Sequence, residues 1–283
     1  MPAKLIDGTA IGAEMRKELG TEISGLKKKG IKPGLAVVLV GDNPASEVYV
    51  RMKGKACEEA GMYSVTIKRP KETSEADLLQ ELDRLNNDAA IHGILVQLPL
   101  PKGLDANAVT RAIDPAKDVD GLTPHSAGCL LLGLPSLVPC TPQGIMKILE
   151  RCAIPLEGAN AVVIGRSNIV GKPISLLLQR ANATVTMCHS KTRDLRAVCR
   201  EADVLVAAVG VPRLVRGEWI KPGAAVIDVG VSLVDGVLTG DVDTEGVQGV
   251  ARIVTPHRRG VGPMTITMLL QNTLQAYEQR SGA

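Results

Sequence analysis

Apolar residues in this chain fall into short unbroken runs that alternate with segments of helical spacing. The run GLAVVLVG at 34–41 is uncharged, rich in β-branched residues and closed by glycine, which predicts a strand buried on both faces. Asn43, Pro44, Ala45 and Ser46 break it and bring helix-start chemistry, so a helix is expected over about 46–60, stopped by Gly61. YSVTIKR reads as a second strand, and Ser74 with Asp77 three residues on forms a capping-box pattern that opens the helix SEADLLQELDRLNND. GILVQLPLP at 93–101 reads as another buried strand stopped by prolines, followed by a helix near 106–113 and the turn-rich PAKDVDGLTP. Near residue 140 the same grammar restarts. Thr141 and Pro142 begin a helix over 143–152, NAVVIGRSNIVGKP reads as strand, glycine-rich turn and helix, and ATVTMCHS, ADVLVAAVG and AAVIDVG are three more strands. In the tail, Ile266, Leu269, Leu270, Leu274 and Ala276 recur at helical spacing. Alternating strands and helices predict an α/β protein with parallel sheets, and the restart predicts two lobes.

Composition supports that picture. A length of 283 residues suits one large domain or two ordinary ones, and 45% apolar with 22% charged residues excludes disordered and fibrous classes. One Trp, three Tyr and no Phe leave Val, Ile, Leu, Ala and Met to fill the core, which favours a parallel α/β sheet over a β-sandwich and argues against RNA or single-strand binding by stacking. The 33 basic and 30 acidic residues give a net charge of +3, which makes no case for nucleic acid or a membrane surface as partner. The start, MPAKLIDGTAIGAEMRKEL, is charged and unlike a secretory signal. The longest uncharged stretch, 126–146, is interrupted by Pro135, Pro139 and Pro142 and is not read as a membrane span. The six cysteines form no CxxC pair and the four histidines do not cluster with them, so no metal site is expected and the cysteines read as buried thiols of a cytoplasmic protein.

Two regions carry chemistry. Gly165, Arg166, Ser167, Asn168, Ile169, Val170 and Gly171 follow an apolar strand and open a helix, the context in which backbone N–H groups cradle phosphate. Ser167 stands where a dinucleotide fingerprint has its second glycine, and a strand–glycine–helix turn is also an ordinary connection. The next strand lacks the acid that pairs with the ribose of NAD. It ends in Cys188, His189, Ser190, Lys191, Thr192 and Arg193, and with Arg166 this basic end favours NADP over NAD. In the first lobe, Tyr49 and Lys53 lie four residues apart on one face of a predicted helix, and a lysine whose pKa is lowered can exchange protons. A lysine on an exposed helix is ordinarily only solvated. Gln97 sits on a strand that looks buried and needs partners, while Asp118 and Asp120 lie in a turn where aspartates are commonly local caps.

Together the strings NPASEVYVRMKGKACEEAG, GILVQLPLP, KDVDG, PCTPQGI, GRSNIVGKP, ATVTMCHSKT, GAAVIDVG, GDVD, GVGPMT and LLQNTL resemble, in order from about residue 6 to 276, the bifunctional methylenetetrahydrofolate dehydrogenase/methenyltetrahydrofolate cyclohydrolase family. The resemblance implies NADP-dependent oxidation of 5,10-methylenetetrahydrofolate to the methenyl form and its hydrolysis to 10-formyltetrahydrofolate. It implies a folate-binding catalytic domain over 1–139, completed by a C-terminal helix over 262–283, a Rossmann-like NADP-binding domain over 140–261, and an active-site cleft between them. By position, Lys53 is the catalytic lysine, Tyr49 stacks on the folate and helps orient Lys53, Gln97 hydrogen-bonds Lys53 and helps tune it, and Asp120 and Pro263 bind substrate. Gly165, Arg166, Ser167 and Ser190 bind the cofactor phosphates, and Val231 lies against the cofactor. A homodimer formed through the cofactor lobe is implied as well. The sequence departs from the family at Pro256, His257, Arg258, Arg259 and Gly260, where members usually have Pro-Val-Pro-Gly-Gly, and at Thr244, where an aromatic usually follows GDVD. Arg259 stands where glycine serves a positive φ. A basic loop there either attracts the glutamate tail of folate or impairs turnover, so a dehydrogenase with weakened cyclohydrolase activity is the alternative reading.

Overall fold

The computed structural model describes residues 2–28 and 30–281. In chain order its elements are β1 (Lys4–Leu5), α1 (Gly8–Lys28), β2 (Gly34–Val40), α2 (Pro44–Ala60), β3 (Tyr63–Arg69), α3 (Glu75–Asn87), β4 (Gly93–Val96), α4 (Ala106–Arg111), α5 (Pro124–Leu132), α6 (Cys140–Arg151), β5 (Asn160–Ile164), α7 (Gly171–Arg180), β6 (Thr184–Cys188), α8 (Leu195–Cys199), β7 (Val204–Ala207), β8 (Ala225–Asp228), β9 (Ser232–Val234), β10 (Val237–Thr239), α9 (Thr244–Val247), β11 (Ile253–Val254) and α10 (Val261–Ser281). They divide into two units, Glu14–Cys140 with Ile266–Ala283, and Met1–Ala13 with Thr141–Thr265.

In the first unit three parallel strands run in the order β3–β2–β4, paired from Gly34↔Tyr63 to Val40↔Arg69 and from Leu35↔Gly93 to Val38↔Val96. β2 has a partner on each side and is buried along its whole length, which is why its sequence shows no polar alternation. Leu78, Leu82 and Leu85, one stripe of α3, share a core with Ala36, Val38, Val40, Ile94 and Val96. The helix starts follow the local chemistry. Asn43 Oδ1 accepts the Ser46 N–H at 3.1 Å with Pro44 in the first turn, and α2 closes on Gly61 at φ +80°. Ser74 Oγ accepts the Asp77 N–H at 3.1 Å and donates to the Asp77 carboxylate at 2.6 Å. One strand differs from the expectation: β4 stops at Val96 and does not run through 93–101. Gln97 follows it, its N–H still reaching the Val38 carbonyl at 2.8 Å, because the prolines beyond have no N–H to extend the ladder.

The second unit holds a six-stranded, wholly parallel sheet in the order β1–β11–β8–β7–β5–β6. β5 is flanked by β6 on one side and β7 on the other, so the chain leaves it in opposite directions and creates a switch point at its carboxyl end. Val162, Ile164, Leu205, Ala207, Val226 and Val254 form the core of this sheet. The N-terminal residues belong here: Lys4 pairs with Ile253 and Leu5 with Val254, where the sequence reading places 1–139 in the other lobe. A two-residue strand is too short to carry a periodic signal. The helix α5 and the β9–β10 hairpin were likewise not anticipated. All six cysteines are free, four of them buried. Among the described residues no helix is long and apolar enough to cross a membrane.

Candidate active site

The fourth residue of one turn of α2 turns inward. Tyr49 is 43% exposed, but Lys53, on the same face, is only 8% exposed. Lys53 Nζ donates to Gln97 Oε1 at 2.9 Å, and Gln97 Nε2 donates in turn to the Leu98 carbonyl at 2.7 Å. That second bond decides which end of the amide faces the lysine, because a carbonyl only accepts. The end of β4 thus delivers Gln97 to the lysine, and the early stop of that strand is what frees it. Lys55, two residues on, faces water and pairs with Glu59 at 3.7 Å.

The turn after α4 sorts its two aspartates. Asp118 is spent on the fold: its carboxylate accepts the Leu122 and Thr123 N–H groups at 3.1 and 2.7 Å and the Ser126 hydroxyl at 2.7 Å, which sets the entry into α5. Asp120 is the one in electrostatic reach of Lys53. Burial pushes the Lys53 amine below the ordinary lysine range, against the pull of Asp120, Cys140 and Cys57. Burial pushes the Asp120 carboxyl up, with Lys53 opposing and Asp118 adding to it. Cys140, at the start of α6, donates its thiol to the Val119 carbonyl at 3.2 Å, and burial and Asp120 hold that thiol far above its usual range. The unit therefore brings the buried Lys53 and Cys140 together with the partly buried Gln97 and Asp120 in one polar group. Cys140 was not singled out from the sequence, where an isolated cysteine reads as a small apolar residue.

The phosphate-binding candidate is built differently. Gly165, at φ +122°, ends β5, and its N–H reaches the Cys188 carbonyl at 2.9 Å. A methyl group on Gly165 would collide with the Ala208 carbonyl, and one on Gly171 with the Gly165 carbonyl, so only glycines let β5, the segment after β7 and the start of α7 close up. Ser167 Oγ accepts the Val170 and Gly171 N–H groups at 3.1 and 3.3 Å, capping the turn into α7 while keeping its own proton to donate. Arg166 is exposed. At the end of β6, Thr192 Oγ1 accepts the His189 N–H at 2.9 Å and His189 Nδ1 accepts the Lys191 N–H at 3.1 Å, a tight turn that leaves Ser190, Lys191 and Arg193 exposed. The acid that follows, Asp194, is occupied capping α8 through the Ala197 N–H at 3.1 Å. A glycine-lined turn beside exposed cations and a free hydroxyl fits a phosphorylated dinucleotide.

Two buried aspartates brace the neighbouring loops. Asp228, closing β8, accepts the Asp241 and Val242 N–H groups at 3.0 and 3.2 Å, and Asp241 accepts those of Val209 and Gly210 at 2.6 and 3.0 Å. Burial pushes the Asp228 carboxyl up to about 7. Val231 follows β8 and is exposed. Arg259 adopts φ +63°, the conformation for which glycine was expected, and its guanidinium pairs with Asp7 while its carbonyl accepts the Thr9 N–H at 3.2 Å. Pro263 is partly buried in the first turn of α10, in the same unit as Arg166, Ser167, Ser190 and Val231.

Comparison with known proteins agrees with both halves. Residues 6–120 match the family model for the tetrahydrofolate dehydrogenase/cyclohydrolase catalytic domain, and residues 139–281 that for the tetrahydrofolate dehydrogenase/cyclohydrolase NAD(P)-binding domain. The chain is 59% identical to the bifunctional protein FolD of Polaromonas naphthalenivorans, over 99% of this chain and 100% of that protein. The crystal structure of the bifunctional enzyme FolD, a methylenetetrahydrofolate dehydrogenase/cyclohydrolase, from Campylobacter jejuni is 46% identical, with a TM-score of 0.96 over 98% of this chain and 99% of that one. The Trypanosoma brucei methylenetetrahydrofolate dehydrogenase-cyclohydrolase, complexed with NADP cofactor and inhibitor, is 40% identical, with a TM-score of 0.96 over 100% of both chains. Two family models in the right order and relatives matched over their full length lead to one conclusion: the chain belongs to the tetrahydrofolate dehydrogenase/cyclohydrolase family.

Proposed function

We propose that the chain oxidises 5,10-methylenetetrahydrofolate with NADP and hydrolyses the resulting methenyl form to 10-formyltetrahydrofolate, with Lys53 as the base for hydrolysis. The observation that carries this reading is a buried lysine amine held below its ordinary range and hydrogen-bonded to Gln97. The methenyl group is a cation, so an ammonium beside it is repelled, whereas a neutral amine has a lone pair to offer. Lys53 takes a proton from water as the water oxygen bonds to the methenyl carbon. It then returns a proton to N5 as the carbon–N5 bond breaks, the hydroxyl proton leaves to solvent, and the formyl group stays on N10. Gln97 aims the amine, Tyr49 offers its exposed ring to the folate, and the Asp120 carboxylate accepts N–H groups of the pterin. Pro263 adds a contact to substrate.

When bound, NADP supplies the acceptor for the hydride that the methylene carbon loses. Gly165, Arg166, Ser167 and Ser190 hold its phosphates, with Arg166 and Ser190 on the 2′-phosphate, and Val231 lies against it. The reading with weakened hydrolysis is not favoured: the relative at 59% identity is named a bifunctional protein, the Campylobacter jejuni enzyme at 46% identity is named for both activities, and Asp7 accommodates Arg259 in the altered loop. Exposed Leu233, Val234, Val237 and Leu238 on the β9–β10 hairpin support a homodimer formed through the cofactor-binding domain, which sedimentation tests.

The direct test is the methenyl absorbance on mixing protein with methylenetetrahydrofolate and either NADP or NAD. A transient rise and fall with NADP, weaker with NAD, is expected; no rise with either cofactor contradicts the reading.

A further inference from the structure

Asn272, in the second half of α10, is completely buried in the same unit as the lysine, although the reaction as derived does not use it. Both hydrogens of its side-chain amide are committed: Nδ2 donates to the Val119 carbonyl and to the Val138 carbonyl, each at 2.8 Å, and Cys140 Sγ lies 3.6 Å away. Two carbonyl acceptors fix the amide orientation, because a flipped group would set Oδ1 against both oxygens. Oδ1 itself is buried and has no partner among the described residues. A buried, unpaired carbonyl costs free energy, which the two bonds made by the donors must offset.

What they hold is the main chain on either side of the lysine's neighbours. Val119 precedes Asp120, and Val138 lies two residues before Cys140. The two segments touch, since Gly121, at φ +67°, has no room for a methyl group between itself and the Val138 carbonyl carbon and Pro139, and the Cys140 thiol also donates to Val119. Val119 in turn presses on Gly93 at the start of β4, and Asp118 bridges to Ile94. One side chain thus clamps the Asp120 turn to the segment that leads into α6.

We propose that Asn272 is a positioning residue for the hydrolytic step: its amide pins the main chain that carries Asp120, so that this carboxylate keeps its place beside Lys53. The inference rests on Lys53 being the base. The charged and titratable groups around Lys53 are Cys57 on its own helix, Asp120 from the turn and Cys140 from α6, with Asp118 behind Asp120. Of these, Asp120 most strongly favours the protonated amine. A carboxylate allowed to drift away favours it less, and the amine titrates at lower pH.

The test compares the pH dependence of methenyl hydrolysis in the wild type and Asn272→Leu, which keeps the branched side-chain skeleton and removes both donors. Hydrolytic kcat is expected to fall by about tenfold or more, with the acid limb of the profile moved to lower pH and the KM for NADP unchanged. Asn272→Ser keeps one donor, is expected to lie between, and carries the comparison should the leucine variant not fold. A profile that superimposes on the wild type, with only a lower melting temperature, makes Asn272 a packing residue and overturns the proposal. So does loss of NADP binding in both variants. Lys53→Gln is run alongside: if it hydrolyses normally, the reading of Lys53 fails first, and separately.

Discussion

Lys53 and Arg166 are both basic residues assigned to the same reaction, yet their settings are opposite. Lys53 is buried, its charge disfavoured by burial and favoured by Asp120, and its amine fixed by Gln97. Arg166, Ser190, Lys191 and Arg193 stand in water, and what is rigid beneath them is backbone, closed up around Gly165 and Gly171. In the buried group one side chain sets the protonation state of another, so a single change alters chemistry. On the exposed turn the charges are screened and act nearly independently, so changes alter affinity by increments.

Lys53→Gln breaks this contrast hardest. Hydrolysis is expected to drop by about a thousandfold, within the range for loss of a positioned base, while NADP affinity by fluorescence titration stays at the wild-type value. A smaller effect is expected on the exposed side. Arg166→Ala with Ser190→Ala removes charge-assisted bonds to the 2′-phosphate, worth together about 3 kcal/mol on this exposed turn, and raises the KM for NADP by about a hundredfold while leaving that for NAD nearly unchanged. Equal losses for both cofactors would place these residues elsewhere. Added salt sharpens the contrast, weakening NADP binding but not moving the pH profile of hydrolysis.

Much of this is legible in the sequence. The β2 run, the caps at Asn43 and Ser74 and the glycine turn at 165–171 are local features with local causes, and each appears where the pattern puts it. Tyr49 and Lys53 could be paired by helical spacing, but not the burial of one and the exposure of the other, which comes from packing far along the chain. Asp118 and Asp120 looked alike because both sit in a turn; only the hydrogen bonds to Leu122, Thr123 and Ser126 tell them apart. Cys140 and Asn272 lie in strings that carry the family resemblance, but nothing local points to their roles, which depend on partners far along the chain. The bond between Lys4 and Ile253 of two very short strands was equally invisible.

Stability gives a third, weaker probe of the comparison. The folded Lys53 amine titrates below its unfolded value of 10.5, so the unfolded chain binds the extra proton and stability rises with pH through that window. Lys53→Met should therefore melt higher than the wild type at neutral pH, and the gain should vanish as pH approaches the unfolded value. A variant that melts lower at every pH would mean that the Gln97 bond outweighs burial. The smallest effect concerns the altered loop. Arg259→Gly and Arg259→Ala lose the same contact with Asp7, but only glycine relieves the φ of +63°, so the glycine variant should be the more stable by about 1 kcal/mol in denaturant unfolding.

The central claim is that Lys53 works as a neutral amine whose titration is set by burial against Asp120. Its most direct test is the pH–rate profile of methenyltetrahydrofolate hydrolysis in the wild type and in Asp120→Asn, followed by loss of methenyl absorbance. The account predicts an acid limb below the ordinary lysine range that moves to still lower pH when the carboxylate is neutralised. A limb that stays in place, or moves toward higher pH, would contradict it.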